Sequence, residues 1–298
     1  MPAAPAEALR GLLRGRVERP LVVPLASAVA GELQGLAPEA FLADAGKLSL
    51  LIRQVTAALG ADAAVAEFGS FWDAEALGMP LVWRNGFPPA PQGRPTGADP
   101  DLSRPRAAVV LDAVARLKTL LDGAVLAAGL AGPARLSRLC GGDPSPETIA
   151  RLQLPAARAL CEAGAQLVFV VESADPPPDP SAYVAALGPL LGSIRFFNAL
   201  PVLHLPGAAD GWEPVVSRGG PYVACFDPDA SPALAVLAER DGGPVFGLAV
   251  PPGGAGPAAR RLAALDNCGL VTNDGELAGR VASRDLAAAA ASLRELVQ

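Results

Sequence analysis

Histidine is almost absent from this sequence: 298 residues contain one, His204. Imidazole is the commonest nitrogen ligand for metals, so its scarcity excludes a multi-histidine metal centre. Lysine is nearly missing too, with two lysines against 22 arginines, and acidic residues outnumber basic ones to give a formal net charge of −6. That balance argues against a nucleic-acid binder, which needs a basic face to displace counterions. No uninterrupted apolar run reaches the length of a membrane span. The N-terminal stretch MPAAPAEALRGLLRGRVERP lacks the charged-then-apolar order of a signal peptide; it reads as a short helix, and a cytoplasmic location is expected. The four cysteines, Cys140, Cys161, Cys225 and Cys268, are scattered without a CxxC pair. They are expected to be buried, reduced thiols and not a zinc cage.

What the chain has is apolar material: 51% hydrophobic residues against 18% charged ones, which excludes disorder for most of its length. Short apolar runs alternate with amphipathic segments. Strands are expected at 21–25 (LVVPL), 63–67 (AAVAE), 124–128 (AVLAA), 167–171 (LVFVV), 201–204 (PVLH), 222–226 (YVACF), 244–250 (PVFGLAV) and 269–272 (GLVT). Being continuously apolar, they fit strands covered on both faces. Helical patterns fall between them at 38–59, 106–121, 145–162, 180–191, 232–239, 255–265 and 285–297. Asp143 and Ser145 precede Pro146-Glu147 as caps, and Gly164 stands where the next helix should stop. Eight strands in β-α order predict a single α/β domain over 1–298, a (β/α)8 (TIM) barrel with a short N-terminal helix. Segment 83–105, with six prolines, is a Pro-rich insertion after strand two, expected to overhang the C-terminal mouth with room for its own hairpin.

Barrels place functional side chains at the C-terminal ends of their strands. That rule selects Ser27 after strand one, Glu67 and Ser70 after strand two, Glu172 after strand four and His204 after strand five. It adds Asp227 and Asp229 after strand six, and Asn273 and Asp274 after strand eight. One imidazole with several carboxylates suits a metal bound through nitrogen and oxygen, or acid–base chemistry. Bland alternatives stand beside this reading. Glu67 and Glu172 could cap helices or bind an arginine, Asp229 could cap the helix that starts near Pro232, Asn273-Asp274-Gly275 could be a plain tight turn, and His204 could be a hydrogen-bonded structural residue.

The stretch ALGADAAVAEFGSFWDAEALGMPLVW (58–83) resembles the second-strand signature of the uroporphyrinogen decarboxylase superfamily, and EALGM within it is closest to the methylcobamide:coenzyme M methyltransferase branch. LVVPLASAVAGELQGLAPEAFLADAGKL (21–48), GAVLAAGLAGPARLSRLCGG (123–142) and CEAGAQLVFVVES (161–173) are similar to that branch's first, third and fourth strand segments. The resemblance spans nearly the whole chain and implies the same barrel. It also implies corrinoid-dependent methyl transfer, with the corrinoid brought by a partner protein or bound free, since the chain has no DxHxxG segment of its own. The acceptor is then a small thiol or folate.

Two departures matter. The arginine-rich loop that decarboxylases carry after strand one is replaced by Ala26-Ser27-Ala28-Val29-Ala30-Gly31, so a tetrapyrrole octacarboxylate has no cations to meet it. The methyltransferase branch holds zinc with a His-x-Cys pair after strand five and a cysteine after strand eight. Here those places read His204-Leu205-Pro206 and Thr272-Asn273-Asp274-Gly275. The resemblance therefore leaves His204, Asp227 and Asp274 as a degenerate zinc site for a divalent metal, zinc or another. His204 is the expected catalytic residue, with Glu67, Ser70, Glu172 and Ser27 expected at the substrate. A catalytically inactive barrel that binds a corrinoid, a tetrapyrrole or a partner protein stays open as the alternative.

Overall fold

A computed structural model describes residues 3–83, 87–97, 99–121, 123–208, 210–218, 220, 222–277 and 285–298. All eight expected strands are present: β1 Leu21–Val23, β2 Ala63–Val65, β3 Val125–Ala131, β4 Leu167–Val171, β5 Leu200–Leu205, β6 Val223–Phe226, β7 Phe246–Val250 and β8 Cys268–Asn273. They form one parallel sheet in the order β1-β8-β7-β6-β5-β4-β3-β2, curled until its two edges nearly meet, with helices around the outside. The fold is an α/β (TIM) barrel.

Alternation along each strand sorts the apolar residues into two layers. Leu167, Phe169 and Val171 of β4 and Val125 and Ala127 of β3 fill the barrel interior. Their neighbours Val168, Val170, Leu126, Ala128 and Leu130 face the helices. Because both faces are covered, the sequence shows unbroken apolar runs and no polar alternation. The same parity turns Leu200 and Val202 of β5 inward, which carries His204 inward as well. Cys225 belongs to the interior layer and Cys268 to the helix-facing one.

The remaining gap in the ring lies between β1 and β2, and Asp62 spans it. Its backbone N–H donates to the Val22 carbonyl at 3.0 Å, and its carboxylate accepts the Val22 N–H at 2.8 Å. Arg19 holds that carboxylate with both nitrogens, at 2.7 and 2.8 Å. The N-terminal helix Pro5–Leu13 stoppers the end where the strands begin, through Ala8, Leu9 and Leu12.

Several helices differ from the expectation for local reasons. The pattern over 38–59 splits into Pro38–Phe41 and Ala45–Leu59, because the Asp44 carboxylate accepts the Lys47 N–H and starts a new helix. The pattern over 145–162 divides at Gln153, since Pro155 lacks the N–H that would continue the ladder. Short helices Trp72–Ala76, Pro133–Leu139 and Glu213–Ser217 were not foreseen. Within the Pro-rich insertion, Leu81–Val82 pairs antiparallel with Ala90–Pro91; 84–86 and 98 lie outside the described residues. No helix among the described residues is long and apolar enough to cross a membrane.

Candidate functional site

His204 lies near the C-terminal end of β5, fully buried. Its ring meets Phe68 edge-on with centroids 5.1 Å apart, and Phe169 at 6.1 Å. Nε2 lies 2.9 Å from the Asn273 carbonyl oxygen, and a carbonyl only accepts, so Nε2 carries the proton. Nδ1 is left as a buried lone pair without a partner. Burial lowers the imidazole pKa to about 4, which keeps the ring neutral near pH 7.

The three expected metal ligands are not gathered into a cage. Among the described residues no group of three His, Cys, Asp or Glu side chains lies where it could hold a metal ion. His204 keeps a donor in Nδ1, but Pro206, two residues on, offers no donor atom beside it. Asp227, half-buried, has its pKa raised first by burial and then by the charges of Asp229 and Asp274, and its Oδ1 accepts the Asp229 N–H at 3.0 Å. Asp229 caps a helix, but the one after β7 and not the one after β6: its two oxygens accept the N–H groups of Ala258 and Ala259 at 2.9 and 3.1 Å. The zinc site of the resembling branch therefore does not fit these residues.

Glu172 is fully buried and serves as an anchor. Oε1 accepts from the Ala134 N–H at 3.1 Å and from the Tyr183 hydroxyl, while Oε2 accepts from the Arg135 N–H at 2.8 Å. It thus caps the helix Pro133–Leu139, and Gly132 is required beside it, since a Cβ there would lie 2.1 Å from its carboxyl carbon. Glu67 and Ser70 sit behind the mouth wall. Glu67 Oε1 accepts the Ser70 N–H at 2.6 Å, and Arg106 Nη2 donates to Ser70 Oγ at 3.0 Å. Burial pushes Glu67 up to about 7 and Arg106 down to about 10. Asp73, raised to about 6 by burial, continues this layer through Gln153 Nε2 at 2.7 Å.

Ser27 points to a residue that the strand-end rule passed over. Its Oγ and N–H donate to Glu276 Oε2 at 2.6 and 3.1 Å, and the Ala28 N–H donates to Oε1 at 3.2 Å. Glu276 is buried, and burial raises it to about 7. It lines a cavity of about 260 Å³ at the C-terminal ends of the strands, together with Phe68, whose ring meets His204 behind the lining. The apolar wall is Phe68, Phe87, Pro88, Val171 and Pro206; the polar lining is Arg135, Asp274 and Glu276. A larger cavity of about 540 Å³ lies at the opposite end, by Leu12, Arg14 and Arg195, where barrels do not place their chemistry. Glu276 and Arg135 were missed because each lies past a strand end, the first after a turn and the second in an unforeseen helix.

Fold and site together define a (β/α)8 barrel with a small, charged cavity at its C-terminal mouth. Solved structures with this architecture include a methyltransferase from Methanosarcina mazei, at TM-score 0.69 and 16% identity over 99% of both chains. The homocysteine methyltransferase MmuM from Escherichia coli, in its apo form, aligns at TM-score 0.52 and 18% identity over 96% of this chain and 99% of its own. No protein family and no curated protein matches the sequence. At such identities the likeness is one of fold.

Proposed function

We propose that this barrel moves a methyl group between a corrinoid, free or carried by a partner protein, and a small acceptor bound in the mouth cavity. The observation that carries the reading is Glu276: a carboxyl raised to about 7, on the wall of a cavity otherwise largely apolar. At about 260 Å³ the cavity falls just below the usual range of roughly 300–1,000 Å³ for small-molecule sites. It suits a thiol of a few carbons better than a folate, and a corrinoid ring must lie across the opening and not inside it.

A bound methylcorrinoid supplies an electrophilic methyl carbon and retains the electron pair of the cobalt–carbon bond. The chain's part is to prepare the nucleophile. Glu276, ionised in a substantial fraction of molecules at neutral pH, takes the thiol proton on Oε1, while Ser27 and the Ser27 N–H hold Oε2 in place. The thiolate then attacks the methyl carbon to give a thioether. Phe68, Phe87 and Val171 exclude water that would stabilise the thiolate and slow it.

A second reading, a barrel that binds a corrinoid or partner without catalysis, draws on the ungathered ligands around His204 and on Pro206. Incubation with free methylcobalamin and 3-mercaptopropionate separates the two. Protein-dependent loss of the methylcobalamin spectrum, much slowed in Glu276→Gln, supports transfer; binding with no demethylation across thiols and tetrahydrofolate supports the second reading. Decarboxylation of an octacarboxylate finds a single arginine among the described residues of the cavity and gains nothing from this geometry.

A further inference from the structure

The larger cavity, at the end where the strands begin, has no part in the reading above. At about 540 Å³ it lies within the roughly 300–1,000 Å³ usual for small-molecule sites. Its apolar wall is Leu12, Leu200, Val223, Val245 and the Tyr222 ring. That ring lies against Gly220, where a Cβ would run into it, and its hydroxyl donates to the Val215 carbonyl. Two guanidiniums complete the lining, Arg14 and Arg195. They come from the ends of two helices, Pro5–Leu13 and Pro180–Phe196. Arg195 Nη2 donates to the Leu13 carbonyl oxygen at 2.6 Å, on the peptide bond that leads into Arg14, so the two side chains start from adjoining points. A single cation at a helix C-terminus is accounted for by the helix itself. Two on one apolar cavity, with no carboxylate among its described lining residues, are not, in a chain whose net charge is −6. Other arginines, such as Arg19, Arg158 and Arg261, meet carboxylates; among the described residues Arg14 and Arg195 form no ion pair. A guanidinium has five N–H donors, and the Leu13 carbonyl takes one of those on Arg195.

We propose that this cavity is a second ligand site, apart from the mouth, for an amphiphilic anion. Its carboxylate head meets Arg14 and Arg195, and its apolar, ring-bearing body lies against Tyr222 and the aliphatic wall. Arg195 is half-buried and held by Leu13, so it carries most of the recognition of the head; Arg14 is exposed, and water screens its share. The occupant bridges the helix that stoppers the barrel, through Leu12, and the strands beneath it, through Leu200 and Val223. Binding at this end requires neither methyl transfer nor an occupied mouth.

Calorimetric titration of the full chain with 4-phenylbutyrate, 4-phenyl-1-butanol and 4-phenylbutylamine tests it. Wild-type protein should bind the acid about tenfold more tightly than the alcohol, and the amine more weakly than either. Arg195→Met keeps the aliphatic stem and should cost the acid about tenfold without moving the alcohol, whereas Arg14→Met, at an exposed position, should cost about threefold. Glu276→Gln removes a negative charge from the mouth and should leave the acid's affinity as it is. The wild-type comparison of acid, alcohol and amine needs no variant to fold, and Arg195→Lys, with the charge but not the fork, should show a smaller loss of the same sign. Equal affinity for acid and alcohol, or no binding of the acid at about ten millimolar, overturns the proposal. So does an affinity that rises in Glu276→Gln and is unchanged in folded Arg195→Met, since the acid is then in the mouth. Methyl transfer that fails while the acid binds in this way refutes the preceding reading alone.

Discussion

Replacing Glu172 by glutamine removes one negative charge and exchanges one oxygen for an NH2 group, yet it should loosen both the β3–helix corner and the cavity lining. The wild-type carboxylate accepts three hydrogen bonds, from the Ala134 N–H, the Arg135 N–H and the Tyr183 hydroxyl. An amide has one accepting oxygen. In its best placement that oxygen stays at the Oε1 position and serves Ala134 and Tyr183, so the NH2 group confronts the Arg135 N–H. One hydrogen bond to a charged acceptor, worth about 1.5–3 kcal/mol, is lost, and a buried donor is left facing a donor. Part is returned because a neutral amide is easier to bury than a carboxylate, whose pKa burial already raises here. The net cost is about 2 kcal/mol. An unfolding entropy of about 2.1 cal/mol/K per residue over 298 residues gives about 0.6 kcal/mol/K, hence a fall in Tm of about 3 °C. Gly132→Ala is the companion experiment: its backbone φ of −65° tolerates alanine, so any loss reports the Cβ driven against the Glu172 carboxyl. Differential scanning calorimetry on both variants, with 3-mercaptopropionate titrated into each, gives the readout. An unchanged Tm for Glu172→Gln together with unchanged ligand affinity refutes the anchoring role.

Stability should depend on pH through the buried acids. Glu67 and Glu276 are raised to about 7 and Asp73 to about 6, each chiefly by burial, so between their ordinary range near 4 and neutrality the folded chain holds protons that the unfolded chain has released. Their contribution is complete below about pH 4 and is lost as pH rises through 6 to 7; His204, lowered to about 4, opposes it with a contribution complete above about 6.5 and lost as pH falls through 4. Three carboxyls outweigh one imidazole, so Tm should be several degrees higher at pH 5.5 than at pH 8, and flatter in Glu276→Gln; a Tm that rises over that interval contradicts the assignment. Zinc chloride titrated into wild-type and His204→Ala protein should give the same weak response, because no three-donor group is assembled among the described residues. Stoichiometric zinc binding that disappears in His204→Ala would show the ligand set reorganising around the metal.

The barrel was readable in the chain because burial on both faces writes each strand as an apolar run, and turns and caps such as Gly164 and Ser145 separate the runs. Element ends were less so: β3 extends to Ala131 because small residues at its end still pair with β4, a fact of tertiary neighbours. For the site, the strand-end rule brought out Asp274, which is on the lining of the mouth cavity, and His204 and Ser27, which lie behind it against Phe68 and Glu276. It missed Arg135 and Glu276, whose positions depend on partners distant in the chain, Phe71 and Glu172 for one and Ser27 for the other. A carboxylate's role was equally hidden: only the fold reveals that Asp229 and Glu172 cap helices that follow other strands.

The place where the ring is fastened bears on how it is assembled. Strands β2 to β8 sit side by side in the order in which they are made, so each can dock on its predecessor as the chain lengthens. β1 has no such neighbour: its only ladder partner is β8, with Val22 opposite Val271 and the Thr272 hydroxyl on the Val23 carbonyl across 249 positions of sequence. On its other side, among the described residues, its hydrogen bonds are to Asp62. Contacts of such separation are closed late and slowly. β1 can take its place in the ladder only once β8 has been made, and until then the sheet stands open along the edge that Asp62 bridges in the closed ring.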